Sequence, residues 1–270
     1  MSEHEMNDIP TPPLPPVEGL LTGRVAIVTG AGQGVGEGIA ASMARAGATV
    51  LLAARRAETG EPAAERIRAA GGAAEFVRCD VTVAADVEAA VAGAVERHGR
   101  LDTMVHNAVS PPGAPRAIQD IDDETIDLQI ATSTTASFFC ARAAFPHLRA
   151  DYGSLILLTS PAGIEGSGNL PLYGTIKGAQ RGLLKSLALE WGPAGVRVNA
   201  IAPVAWTPAM DSATAANPTL EARLRARTPL QRIGDPTDDI GPVAVFLASP
   251  LSRHMTGQTL AVDGGRYLGL

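Results

Sequence analysis

The chain has 270 residues, 46% of them apolar, 19% charged and only 4% aromatic, a length and balance that suit one well-cored domain whose helices and sheet pack closely without an aromatic core. Its formal net charge is −6 and its basic residues are scattered, which excludes the electrostatic footprint of a nucleic-acid-binding protein but leaves room for a local arginine to meet one phosphate. Cys79 and Cys140 are too few for a disulfide framework and form no metal motif, so both are expected as buried small hydrophobes.

Residues 1–20 carry Glu3, Glu5 and Asp8, then five prolines between Pro10 and Pro16. A secretory signal needs a basic start and an apolar run, and this stretch has neither. It reads as an extended, poorly ordered tail before a domain over residues 21–270. The most apolar run, Ser154–Thr159, is too short to span a bilayer, so the expectation is a soluble, cytoplasmic protein.

From Arg24 onward, runs that read as strands alternate with runs that read as helices. Arg24–Thr29, Thr49–Ala53, Glu75–Cys79, Leu101–His106, Ser154–Thr159, Val196–Ala202 and Thr259–Val262 are short and rich in branched apolar residues, as buried strands are. Between them, Gly36–Ala46, Glu61–Ala70, Asp86–His98, Thr125–Leu148 and Leu172–Trp191 read as helices, with Val87, Val91 and Val95 marking one apolar stripe. Gly47 is placed to close the first helix. Such alternation over the whole length predicts α/β architecture: a Rossmann-type, doubly wound parallel sheet with helices on both faces.

The first strand runs into Thr29-Gly30-Ala31-Gly32-Gln33-Gly34-Val35-Gly36. Glycines there allow a sharp turn and close approach of backbone amides to an anion, and the following helix points its free N–H groups and positive dipole end at the same place. A dinucleotide pyrophosphate is the expected ligand of Gly30, Gln33, Gly34, Val35 and Gly36. The second strand ends in Ala53-Ala54-Arg55-Arg56, with no acid to accept ribose hydroxyls. A guanidinium offers forked donors to a 2′-phosphate, which favours NADP over NAD with Arg55 as the contact. Asp80 and Val81, just past the third strand, are placed to meet the adenine.

Tyr173 and Lys177 stand at i, i+4 spacing on an expected helix, so they share a face. A phenol titrates near 10 and is a poor proton donor at neutral pH, but a nearby ammonium would lower that value. Ser160, at the end of the central strand, could hold a substrate oxygen beside the Tyr173 hydroxyl.

Taken together, these segments resemble the short-chain dehydrogenase/reductase family from about Leu21 to the C-terminus. The matching stretches are Thr29–Gly36, Cys79-Asp80-Val81-Thr82, Asn107-Ala108, Ser160 with Tyr173–Lys177, Arg197-Val198-Asn199-Ala200, Pro203 with Thr207, and Asp263-Gly264-Gly265. The resemblance implies that Ser160 orients substrate, that Tyr173 is the acid/base, and that Lys177 binds the nicotinamide ribose while lowering the tyrosine's pKa. It further implies that Asn107 and Ala108 lie along the cofactor, and that Pro203 and Thr207 meet the nicotinamide end. Four departures stand out. His106 and Val109 flank Asn107-Ala108, Val204 follows Pro203, Pro161 follows Ser160, and Ser133 occupies the helix position where the family carries an asparagine that holds a relay water.

The implied activity is hydride transfer between the nicotinamide and a ketone or secondary alcohol. Ser110–Ala117, Ala162–Leu172 and an apolar lid at about 204–228, containing Trp206, Met210, Leu220 and Leu224, would wall the substrate. A homo-tetramer or homo-dimer is the implied assembly. The rival reading is a regulatory or low-turnover cofactor-binding member of the same fold.

Overall fold

A computed structural model describes residues 19–110, 116–168, 170–217 and 219–268. Most of the proline-rich tail, residues 111–115 of the expected substrate wall and residues 269–270 lie outside them. Among the described residues, β1 (Val25–Thr29), β2 (Thr49–Ala54), β3 (Ala73–Arg78), β4 (Thr103–His106), β5 (Ser154–Leu158), β6 (Arg197–Pro203) and β7 (Thr259–Val262) form one sheet in the order β3-β2-β1-β4-β5-β6-β7. Every pairing is parallel. The chain order reverses between β1 and β4, and in such sheets ligands collect at the carboxyl ends of the strands flanking that reversal.

Helices α1 (Gly34–Arg45), α2 (Ala57–Ala69), α3 (Ala84–His98), α4 (Asp123–Gln129), α5 (Ala136–Leu148), α6 (Ala162–Glu165), α7 (Pro171–Trp191), α8 (Pro208–Ala216), α9 (Leu220–Ala226) and α10 (Gly241–Ala248) connect and cover the strands. The period-2 alternation of the strands builds two cores. Val25, Ile27, Met104, Leu155 and Leu157 face α3, α5 and α7, while Ala26, Val28, Val105, Ile156 and Leu158 face α1, α2 and α10. The strands read from sequence agree with these to within a residue or two at their ends.

The expected single helix Thr125–Leu148 is two helices joined by a π-helical turn at Ile130–Thr135. That turn is Ile-Ala-Thr-Ser-Thr-Thr, and hydroxyls in and just after it bond back to backbone carbonyls: Thr132 Oγ1 donates to Leu128 O at 2.8 Å, and Ser137 Oγ, in the first turn of α5, to Ser133 O at 2.6 Å. Such back-bonding competes with the regular ladder, and π turns recur at functional sites. The α2 helix also begins earlier than expected, at Ala57, and carries Pro62 inside it. Sequence periodicity gave no sign of α10. Its residues are apolar nearly all round, with Ala244, Val245 and Leu247 in the core, so no amphipathic stripe marks it.

Candidate active site

The turn after β1 is built for close backbone approach. Gly30 has φ +66°, and a Cβ there would lie 2.8 Å from Ala108 Cα. A Cβ at Gly32 would lie 2.7 Å from Thr59 Oγ1. Gln33 precedes α1 without a side-chain hydrogen bond over the helix start, so the first-turn amides face outward with the positive end of the dipole. They open on a cleft of about 640 Å³ lined by Gly30, Gln33, Gly34 and Val35 of this turn. Gly36 is not in that lining. It is a packing glycine, because a Cβ there would strike Asn107 Nδ2 and lie 2.5 Å from Gly30 O. A cradle of this shape and chemistry fits a dinucleotide pyrophosphate.

Farther along the cleft lie Arg55, Arg56, Cys79, Asp80 and Val81. Arg55 is exposed at the end of β2. Burial tends to raise the Asp80 carboxyl, but hydrogen bonds from the Thr82 hydroxyl (2.7 Å) and amide (3.0 Å), together with Arg55 and Arg78, hold it below its ordinary value. Burial and nearby Asp86 and Asp80 push the Cys79 thiol up to about 12, and the same desolvation raises Cys140. Both are free and buried, as expected, and both are protonated at neutral pH.

At the other end of the cleft, Asn107, Ala108, Val109, Tyr173, Lys177, Pro203, Ala205 and Thr207 line the wall. Asn107 Nδ2 donates to the carbonyls of Thr29 (3.0 Å) and Gly30 (3.2 Å), tying the end of β4 to the glycine turn. Val204 is absent from the lining. Its amide donates to Val262 O of β7 and its carbonyl accepts from Gly234, so Pro203 and Ala205, on either side of it, are the residues that face the cleft.

Ser160 is not itself in the lining but hydrogen-bonds Tyr173, which is. Pro161 opens the short helix α6 with φ −50°; its missing N–H costs nothing at a helix start. Lys177 is buried, 2% exposed. Its Nζ donates to Leu158 O at 2.7 Å and Gln180 Oε1 at 2.9 Å, and lies 5.8 Å from the centre of the Tyr173 ring. Burial pushes Lys177 down to about 7. Burial likewise raises the Tyr173 phenol, against the lowering effect of its bond with Ser160. The sequence argument had the ammonium lowering the phenol. In the folded chain desolvation dominates both groups, raising the phenol and lowering the ammonium.

Ser133 lies behind the cleft, fully buried, with no partner for its hydroxyl. The residue expected to stand in for the family's asparagine is thus outside the cleft lining. The carbonyl, widened out of the helix ladder by the π turn, is the group in use. It accepts from Ser137 Oγ (2.6 Å), His106 Nε2 (3.3 Å) and Gln180 Nε2 (3.5 Å). Since a carbonyl only accepts, His106 carries its proton on Nε2, and Nδ1 accepts from Thr29 Oγ1 at 3.0 Å. That hydroxyl in turn accepts the amides of Asn107 (3.1 Å) and Ala108 (3.2 Å). Burial, then the charge of Lys177, push His106 down to about 4, so it stays neutral and serves as a strut between β1, β4 and the kinked helix. Gln180 was missed from sequence, although a lone polar residue one turn beyond Lys177 on an otherwise buried stripe was the available sign.

A family model described as enoyl-(acyl carrier protein) reductase matches residues 30–266. The chain belongs to the short-chain dehydrogenase/reductase family, and as such is an NAD(P)-dependent oxidoreductase. Among its relatives, an L-fucose dehydrogenase from Oryctolagus cuniculus is 37% identical over 92% of this chain and 86% of its own. A 12alpha-hydroxysteroid dehydrogenase from Clostridium sp. is 34% identical over 92% and 98% respectively. Among solved structures, a 3-ketoacyl-(acyl-carrier-protein) reductase from Brucella melitensis complexed with NADH superposes with a TM-score of 0.83 at 31% identity, covering 92% of this chain and 100% of that one.

Proposed function

We propose that the protein reduces a ketone, or oxidises the matching secondary alcohol, with NADP preferred over NAD. The observation that carries this reading is that Tyr173, with Ser160 against it, and Lys177 share one cleft with the glycine turn. The bound nicotinamide supplies or takes up the hydride. Tyr173 holds at its Oη the proton that passes to or from the substrate oxygen, and Ser160 orients that oxygen from the end of β5. Lys177 would meet the nicotinamide ribose, with Gly30, Gln33, Gly34 and Val35 on the pyrophosphate and Asp80 and Val81 at the adenine. Asn107, Ala108, Pro203 and Thr207 complete the cofactor wall. Segment 204–228, with the partly buried Trp206, Met210, Leu220 and Leu224, serves as the substrate lid. The test is a panel of ketones and alcohols followed at the nicotinamide absorbance with both cofactors. Binding of cofactor with no turnover on any of them would favour the low-turnover rival.

The NADP preference rests on Arg55, exposed in the lining where the family's discriminating acid would stand. Replacing it by Ala removes a charge-assisted bond to the 2′-phosphate, expected to weaken NADPH by about 10- to 100-fold while NADH changes little. Parallel binding titrations with the two cofactors check this, and equal losses would remove Arg55 from the role. A homo-dimer or homo-tetramer belongs to the same reading: Phe138 on α5 and Leu189 on α7 are 54% and 81% exposed, apolar surface of the kind that assembly covers. Light scattering should return a mass of two or four chains.

A further inference from the structure

Lys177 Nζ can donate three hydrogen bonds as an ammonium and two as a neutral amine. Two directions are taken by protein acceptors whatever its charge: Leu158 O at 2.7 Å and Gln180 Oε1 at 2.9 Å. Gln180 is itself 1% exposed and cannot turn away, because its Nε2 donates to Ser137 Oγ at 3.0 Å and to Ser133 O at 3.5 Å. Ser133 belongs to the π turn between α4 and α5, and Ser137 to the first turn of α5. Lys177 lines the cleft, so the third direction of Nζ is the one left for it.

We propose that Gln180 is a positioning residue, which pins Lys177 from behind to the kinked helix so that the one ammonium N–H not held by Leu158 or Gln180 faces the cleft. The inference rests on the reading of Lys177 as part of the active site. Its chemistry is specific. The amide oxygen favours the charged lysine in a site whose burial disfavours it, while the amide nitrogen fixes that oxygen in place. The titratable groups around Lys177 are Tyr173 on its own helix, His106 at the end of β4 and, 3.6 Å from the His106 ring, Cys140 on α5. The first and last stay protonated and His106 stays neutral near pH 7, so a titration seen there belongs to Lys177.

The chain contains two lysines, Lys177 and the exposed Lys185, which makes a direct measurement feasible. In cofactor-free protein labelled at the lysine ε-carbon, the buried resonance reports Lys177. Gln180→Leu removes the acceptor and should move its midpoint down by about one pH unit. Gln180→Glu supplies a stronger acceptor and should move it up by at least as much. In turnover, the leucine variant should lose roughly 10- to 100-fold in kcat, the scale of a hydrogen bond to a charged group, with the alkaline limb of its pH profile displaced downward. The glutamate variant should displace that limb upward. A merely structural glutamine would lower the melting temperature in both variants and move neither midpoint, and that result, in folded protein, would overturn the proposal. If Lys177→Met also left turnover intact, the active-site reading itself would fail, which the lysine titration alone distinguishes.

Discussion

Tyr173→Phe is expected to cut ketone reduction by roughly 10²–10⁴-fold, the scale of general acid–base catalysis, while NADPH still binds. The substitution removes one oxygen and leaves the ring, whose face packs 5.8 Å from Lys177 Nζ. The glycine turn, Arg55 and Asp80 lie at the other parts of the cleft and are untouched. The loss should therefore appear in kcat, with cofactor affinity by fluorescence titration within about threefold of the parent. The phenol is raised by burial and lowered by Ser160, so Ser160→Ala should push it further up and slow the reaction across neutral pH. Turnover by Tyr173→Phe equal to that of the parent would assign the proton to another group.

The order of elements and the two ends of the cleft were legible in the sequence because each depends on local signals. Short β-branched strands, glycines where a Cβ would collide, and the i, i+4 spacing of Tyr173 and Lys177 all act over a few residues. What was not legible depends on contacts between distant segments. Thr125–Leu148 has helix-forming residues throughout, and only the meeting of His106, Gln180 and Ser137 on the Ser133 carbonyl gives the π turn its use. The effect of burial on Tyr173 and Lys177 was not legible for the same reason. Spacing shows that an ammonium stands near a phenol, but not that both are stripped of water. Ser133 was singled out for its hydroxyl, and nothing in the spacing showed that its backbone oxygen gathers three side-chain donors.

Outside the site, Asp102 is a buried carboxylate at the opposite, amino-terminal edge of the sheet. Its carboxylate is 3% exposed and accepts four bonds: Arg24 Nη1 at 2.5 Å, Arg100 Nε at 2.7 Å, Arg100 Nη2 at 2.6 Å and the Val25 amide at 2.9 Å. It thereby joins the starts of β1 and β4, adjacent strands in the middle of the sheet. Burial alone would raise its pKa, but the Arg100, Val25 and Arg24 bonds outweigh burial and hold it below the ordinary carboxylate value. Asp102→Ala leaves the Val25 amide unpaired, takes the carboxylate from Arg24 and leaves Arg100 only its 3.3 Å pair with Asp151, expected to cost about 3 kcal/mol. The lower end of the usual range applies because both arginines are 34% exposed and partly solvated. At about 2–4 °C per kcal/mol for a chain of this size, the melting temperature should fall by roughly 6–12 °C. The pH dependence has a definite sign. A carboxyl whose folded pKa is depressed contributes stability that is complete above its unfolded value near 4 and is lost as pH falls through the folded one. Denaturant melts of the parent and Asp102→Asn should therefore differ most at neutral pH and converge in acid. A gap between them that stays constant from pH 7 to pH 3 would show that the charge of Asp102 contributes nothing, and that its hydrogen bonds to Val25 and the arginines act by shape alone.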